Sequence, residues 1–217
     1  MACNHKFIEY LNLTRLDFEP TTLIVGTFNP AWPEGNNAEW FYGRTHDANG
    51  NRNNNFWDVL PRLFEDELTL INDGPLEWKQ FCSRKQIAIT DLINSIEDAN
   101  PENSEHVQLM GGFADHVIAE EFEEHVFVNI ILLLQNYTTI NKVFITNGVN
   151  GAFWNNVWNP IRQYCNLNNI ICQKLLTPSK NARFSMFAYN ADNPNTQYGM
   201  NTLNDYILMR WNEVWNQ

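Results

Sequence analysis

Four short apolar runs, each ending at a polar turn, constrain the fold of this chain more than any other feature. Segments with helical periodicity lie between the runs. Such alternation of strands and helices is typical of a mostly parallel sheet covered on both faces. The sequence therefore predicts an α/β protein, a three-layer α/β/α fold with a central four-stranded, mainly parallel sheet. The predicted strands are residues 23–25, 87–90, 142–146 and 170–176.

Helical patterns occupy much of the remaining chain. The longest, residues 115–137, places its apolar side chains on one stripe and predicts a single amphipathic helix. Residues 96–112 are polar and contain Pro and Gly, which indicates a long surface loop. No linker or internal repeat is evident in 217 residues, so residues 1–217 are expected to form a single domain. The other predicted helices are residues 6–11, 54–64, 75–84, 152–164 and 203–215.

Composition narrows the classes of protein that the chain can belong to. No stretch reaches the ~18 apolar residues that a membrane span requires, and the N-terminus lacks a signal-peptide pattern. We therefore expect no membrane association and a cytoplasmic location. The four cysteines are scattered, without the paired spacing of zinc ligands, so neither a metal nor another cofactor is predicted.

The formal net charge of −11 argues against nucleic acid as a partner, because phosphate contacts normally supply much of the affinity. The acidic residues are concentrated in residues 65–67, 97–105 and 120–124, which are predicted to be solvated surface. Such a surface is also compatible with a protein partner. Four basic residues lie instead in loops that carry candidate site residues, namely Arg44, Arg52, Lys180 and Arg183.

The first predicted strand ends in a sharply turning segment, residues 26–30, here called the Gly-Pro loop. Pro30 fixes its own φ and keeps Asn29 out of the helical region. Asp91 directly follows the second predicted strand, and Asn147 follows the third. Because the carboxyl ends of parallel strands meet at one edge of a sheet, a ligand site is predicted there.

Two aromatic clusters follow the Gly-Pro loop, separated by a segment rich in Asn and Gly. Phe56 and Trp57 begin a helical pattern and are predicted to be core residues. Phe41 and Tyr42 lie between turn residues, where core packing and ligand contact are equally compatible with the sequence.

The Gly-Pro loop and the aromatic residues after it resemble the first motif of the uracil-DNA glycosylase superfamily. Asn immediately before Pro is most similar to the mismatch-type branch. The resemblance implies that Asn29 orients the attacking water and that Tyr42, or Phe41, stacks on an extruded base. It also implies that the backbone of Gly26, Thr27 and Phe28 contacts the departing base. The superfamily's Asn-x-Phe-Trp helix start is matched from Asn53 or Asn54 to Trp57.

A second segment, residues 177–183, resembles the superfamily's Pro-Ser loop, which pinches the DNA backbone and fills the gap left by the flipped base. Arg183 matches the inserted side chain, whereas Thr177 replaces a His found in many members. A simple turn is the alternative interpretation of this segment. The other residues of this Pro-Ser loop implied to bind DNA are Pro178, Ser179, Lys180 and Asn181.

Two further residues match superfamily positions. Asp91 occupies the place of the residue that reads the base edge, although an Asp after a strand also caps turns. Asn147-Gly148 resembles the hypoxanthine-type branch, in which that Asn replaces a missing Asn of the first motif. Since Asn29 and Asn147 are both present, at least one of them is expected to be structural or supporting.

The resemblance implies a monofunctional DNA glycosylase that flips a deaminated or mismatched base, such as uracil or hypoxanthine, and hydrolyses its N-glycosidic bond in base excision repair. The partner would be DNA containing the damaged base. An iron–sulfur cluster, present in some branches, is not expected from these cysteines. The alternative is a catalytically silent member that binds single-stranded nucleic acid or a protein, which the net charge and Thr177 favour.

Residues 47–58 place oxygen-bearing side chains at alternating positions, as in a calcium-binding loop. Arg52, however, stands where the sharp turn of such a loop needs Gly, and Asp58 replaces the closing Glu. An Asn-rich insertion without a metal is the simpler interpretation.

Overall fold

The computed structural model describes residues 2–32, 36–47, 49–146, 151–193 and 200–217. Its strands, in chain order, are β1 (Cys3–Asn4), β2 (Thr22–Gly26), β3 (Ile87–Asp91), β4 (Ile93–Ile96), β5 (His125–Phe127), β6 (Lys142–Ile145) and β7 (Ile171–Lys174). Its helices are α1 (Phe56–Arg62), α2 (Pro75–Lys85), α3 (Ser104–Gly111), α4 (Asp115–Glu121), α5 (Ile130–Asn136), α6 (Ala152–Leu167), α7 (Ala182–Asp192) and α8 (Leu203–Trp215).

The central sheet has four strands in the order β3-β2-β6-β7. β2 pairs in parallel with both β3 and β6, with Leu23 opposite Ala88 and Val143. Every residue of β2 and β3 is buried, as expected for strands covered on both faces. The prediction of a three-layer α/β/α fold with a mainly parallel sheet is confirmed.

A second, three-stranded sheet of order β1-β4-β5 was not predicted from the sequence. Leu92 alone separates β3 from β4. The N–H of Leu92 donates to the Gly26 carbonyl, and the N–H of Ile93 donates to the Thr27 carbonyl, both at 3.0 Å. β4 pairs antiparallel with β1 and β5. These strands are two to four residues long, too short for a clear alternating pattern.

The single long helix predicted for residues 115–137 is wrong. The chain instead forms α4, the strand β5 and α5. Phe122 is extended and ends α4, while the Asn129 side chain accepts Leu132 N–H and starts α5. Ile118 and Leu133 are nevertheless buried, so the apolar stripe correctly identified core residues but not the break between the helices.

Other boundaries also differ from the predictions. Residues 96–112 contain α3, whose start is capped by the Asn103 side chain accepting Glu105 N–H. Residues 6–11 form only a 3-10 turn at Ile8–Tyr10. Helix α7 was not predicted, and α6, which contains Pro160, continues to Leu167 instead of ending at residue 164.

The chain divides into two compact units. The first comprises Met1–Asn37, Cys82–Ile145 and Val149–Gln173, and contains both sheets except for the final residue of β7. The second comprises Ala38–Phe81, Thr146–Gly148 and Lys174–Gln217. Its core is strongly aromatic: the rings of Trp57 and Trp78 stack at 5.0 Å, and Trp211 packs edge-on against Phe56. The single domain expected over residues 1–217 stays a prediction.

Among the described residues, no helix combines the length and apolar character that crossing a membrane requires.

Replacing Leu23 with Ala should lower the free energy of unfolding by ~2–5 kcal/mol, because its fully buried side chain lies in the central strand. Leu167→Ala is the matched control. The side chain of Leu167 is 84% exposed, so its replacement should change the free energy of unfolding by less than ~0.5 kcal/mol. Urea titration of both variants measures the difference. Equal losses would contradict the assignment of β2 to the core.

Candidate functional site

The Gly-Pro loop leaves β2 at the point where β3 also ends. Gly26 is paired with Asp91, the last residue of β3. The N-terminal segment then lies along the loop, and His5 forms an isolated antiparallel β-bridge with Pro30. The N–H of Lys6 donates to the Asn29 carbonyl at 2.8 Å, and the N–H of Ala31 donates to the Asn4 carbonyl. Backbone hydrogen bonds on both sides therefore fix the course of the loop.

Asn29 is half-buried, and a specific contact orients its side-chain amide. Asn36 Nδ2 donates to Asn29 Oδ1 at 2.5 Å and to the Pro30 carbonyl at 2.6 Å. Because a backbone carbonyl only accepts, Asn36 must present its nitrogen, and Asn29 must present its oxygen in return. An amide oxygen has two lone pairs, so Asn29 Oδ1 retains the capacity to accept a hydrogen bond from water.

Asp91 is buried against a histidine from the N-terminal segment. His5 Nε2 lies 2.7 Å from Asp91 Oδ2, and the two side chains are 0% and 8% exposed. His5 Nδ1 accepts Phe7 N–H at 2.9 Å, so the ring proton must lie on Nε2 and is donated to the carboxylate. The contact fixes both the histidine tautomer and the orientation of Asp91.

A second carboxyl group lies beside the Gly-Pro loop. The Thr27 hydroxyl donates to Asp115 Oδ1 at 2.5 Å. The pKa of Asp115 is raised to about 6, chiefly by burial and also by the negative charge of Asp91, whereas the Thr27 hydrogen bond and His116 act in the opposite direction. Asp115 is the first residue of α4 and is half-buried.

The remaining loop residue implied by the resemblance, Phe28, packs its ring edge-on against His5, with 5.8 Å between ring centroids. Gly26, Thr27, Phe28, Asn29 and Asp91 thus all belong to the first unit, at the carboxyl ends of β2 and β3.

In the second unit, Tyr42 and Phe41 have different environments. Tyr42 is half-buried, with its ring stacked on Phe56 at 3.8 Å and its hydroxyl 2.7 Å from Thr146 Oγ1. Phe41 is only 1% exposed, and its carbonyl accepts the Trp57 indole N–H. The suggestion that Phe41 stacks on a base is therefore wrong, because its ring is enclosed in the core.

Hydrogen bonds connect the Pro-Ser loop to the segment that precedes α1. The backbone N–H and the Nδ2 of Asn55 both donate to the Pro178 carbonyl. Asn54 forms an isolated antiparallel β-bridge with Ser179. The N–H of Lys180 donates to the Asn53 carbonyl at 3.3 Å.

Pro178 is buried, and its carbonyl accepts hydrogen bonds from Asn55, so this residue shapes the loop. Its contact with DNA stays a prediction. The Thr177 hydroxyl donates to Ser179 Oγ and accepts the N–H of Ser179, so it stabilises the turn within this loop. Lys180, Asn181 and Arg183 are exposed.

Other predicted residues are placed as follows. Asn147 lies outside the described residues. Arg44 and Arg52 are half-buried, and burial lowers the pKa of Arg44. The Asp47 carboxylate accepts the backbone N–H groups of Asn49 and Asn51, so its oxygens stabilise the turn of the Asn-rich insertion.

Sequence reasoning missed three residues that surround the Gly-Pro loop, namely His5, Asn36 and Asp115. Each comes from a different segment, and none stands in a motif or at a regular spacing. The sequence marks each of them only as a polar residue, a property that many surface residues share.

His5→Ala should lower the free energy of unfolding by ~3–5 kcal/mol, because it leaves the buried Asp91 carboxylate without its hydrogen-bond donor. Urea denaturation of His5→Ala, Asp91→Ala and the double variant completes a double-mutant cycle. The free energy of unfolding should fall much less in the double variant than the sum of the decreases in the two single variants. Strictly additive losses would mean that the two side chains do not stabilise each other.

Comparison with known proteins shows what this fold is similar to. No family model matches the chain, and no curated protein matches it. Among solved structures, it is similar to the solution NMR structure of a protein from Methanosarcina acetivorans described as a "putative Uracil DNA glycosylase", with a TM-score of 0.52 and 11% sequence identity. The match covers 92% of this chain and 94% of that one. Over nearly its whole length, the chain therefore shares the fold of that protein.

Proposed function

We propose that the protein is a monofunctional DNA glycosylase that hydrolyses the N-glycosidic bond of a deaminated or mismatched base in DNA. The observation that carries the proposal is the Gly-Pro loop, fixed by backbone pairing, with the Asn29 oxygen held in a defined orientation. The fold similarity supports the same class of protein.

Asn29 is the residue proposed to hold the attacking water. Asn36 leaves its oxygen one further lone pair, which can accept a hydrogen from water and direct the water oxygen towards the anomeric carbon. Backbone pairing with Lys6 keeps this residue in place without help from the substrate. Such preorganisation avoids reordering polar groups during the reaction.

Asp91 is proposed to read the base edge. His5 donates to Oδ2, and a carboxylate can only accept further hydrogen bonds. The group therefore suits a base that presents a ring N–H, as uracil and hypoxanthine do. In the second unit, we propose that Tyr42 stacks on the extruded base and that Lys180, Asn181 and Arg183 contact the DNA backbone or fill the vacated gap.

A second candidate is a catalytically silent protein of this fold that binds single-stranded nucleic acid or a protein partner. The observations that favour it are the net charge of −11 and the engagement of the Thr177 hydroxyl within its own turn, where many superfamily members carry a His. Binding without base release from any substrate would support this candidate.

The proposal predicts base release from at least one duplex in a panel containing uracil, hypoxanthine, xanthine or a thymine mismatch. Asn29→Ala should slow release by roughly a hundredfold or more, because the water loses its orienting acceptor. Alkaline cleavage of the product strand, followed by gel electrophoresis under single-turnover conditions, measures the rate.

Asn147→Ala is the matched control, since it removes the same amide from the other motif. If Asn147→Ala abolished release and Asn29→Ala did not, the assignment of the water-binding residue would be wrong while the glycosylase proposal stood. If the wild-type protein released no base from any duplex, the proposal itself would fail.

Tyr42→Ala should weaken binding of lesion-containing DNA by ~1–3 kcal/mol, because stacking on the extruded base is lost. Tyr42→Phe keeps the ring but removes the hydroxyl that meets Thr146, and should bind within about threefold of wild type. Fluorescence anisotropy with labelled duplexes tests this. A larger loss in Tyr42→Phe than in Tyr42→Ala would assign Tyr42 a hydrogen-bonding role instead.

A further inference from the structure

The contact between Asp115 and Thr27 places a second carboxyl group next to the Gly-Pro loop. Thr27 lies two residues before Asn29, and Oδ1 of Asp115 is occupied by the Thr27 hydroxyl. A proton on this carboxyl group would therefore be carried by Oδ2. The half-buried position leaves the group accessible from outside the core.

The groups that shift the pKa of Asp115 come from three elements. Asp91 faces it from the end of β3, His116 neighbours it on α4, and Thr27 contacts it from the Gly-Pro loop. His5 in turn holds Asp91. Burial and the charge of Asp91 both favour the protonated form of Asp115, and its pKa is raised to about 6, whereas Asp91 accepts a hydrogen bond from His5.

Two carboxyl groups in unlike environments are a common basis for dividing acid and base roles. In base removal, the electrons of the glycosidic bond pass to the departing base. Uracil can carry that charge over its two carbonyl groups, whereas a purine departs more readily after a ring nitrogen has been protonated. A protonated carboxyl group is therefore of most use when the substrate is a purine.

We propose that Asp115 is a catalytic acid that protonates a departing purine, and that the site consequently favours a purine lactam such as hypoxanthine over uracil. This inference rests on the glycosylase function proposed above. It assigns a role to a residue outside the motifs that carry the resemblance to the superfamily.

The step balances in atoms and charge. The C1′–N9 bond breaks, its electron pair goes to the base, and the Asp115 proton moves to a ring nitrogen of that base. The water held by Asn29 forms the new C1′–O bond and releases one proton, which restores Asp115 through solvent. The products are the free base and a hydroxyl group at C1′, and no other reactant is needed.

The test is single-turnover release of hypoxanthine and of uracil from matched duplexes between pH 5 and pH 8.5. For wild type, the hypoxanthine rate should fall as the pH rises through about 6, because the acid form of Asp115 is lost. Asp115→Asn should lose this pH dependence, with a rate ~100-fold below wild type at pH 6. Its loss on hypoxanthine should exceed its loss on uracil at least tenfold.

Two further variants separate catalysis from structure. Asp115→Glu keeps an acid and should recover part of the hypoxanthine rate. Thr27→Val removes a hydrogen bond that favours the charged carboxylate, so the inflection should move to higher pH, whereas Thr27→Ser should keep it in place. Urea denaturation of each variant confirms that the fold is retained at the assay pH.

The outcomes distinguish this inference from the function on which it rests. If wild type releases bases and Asp115→Asn keeps the wild-type hypoxanthine rate and pH profile, the acid role is overturned and the glycosylase proposal stands. Equal losses on both bases, or release of uracil alone, would overturn it as well. If wild type releases no base from any duplex, the proposed function fails and the acid role fails with it.

Discussion

The hydrogen bond between His5 and Asp91 is the interaction on which the candidate site depends. A carboxylate at the end of a fully buried strand would be costly without a donor, and the donor is His5 of the N-terminal segment. To deliver it, the N-terminal segment must lie between the Gly-Pro loop and β4, where it pairs with both. One buried polar contact thus links the second sheet, the loop and the strand end.

The parallel sheet explains why the chemistry gathers where it does. β2 and β3 run side by side in register, so the Gly-Pro loop and Asp91 leave the sheet at the same edge. Asn36 and Asp115 then each hold a different residue of that loop, one through the Asn29 amide and the other through the Thr27 hydroxyl. The result is a group of polar side chains whose orientations are set before any ligand arrives.

Much of the fold could be predicted from the sequence because the central strands are local apolar runs that need no distant partner to be recognised. The division of residues 115–137 into two helices and a strand could not be predicted, since short helices and a short strand can carry one continuous apolar stripe. In the site, Asn29 and Asp91 were predictable from their positions at strand ends. His5, Asn36 and Asp115 were not, because only the folded chain brings them to the loop, and the sequence alone could not separate buried Phe41 from Tyr42.

The proposed function requires the polar groups at the carboxyl ends of β2 and β3 to contact the base of a damaged nucleotide. The most direct measurement is NMR chemical-shift mapping with a duplex containing 2′-fluorodeoxyinosine, whose glycosidic bond resists cleavage. The account predicts shifts for the backbone amides of Thr27 and Asn29 and for the side chains of His5 and Asp91, and none with an undamaged duplex of the same sequence. Binding that leaves these resonances unchanged would contradict it.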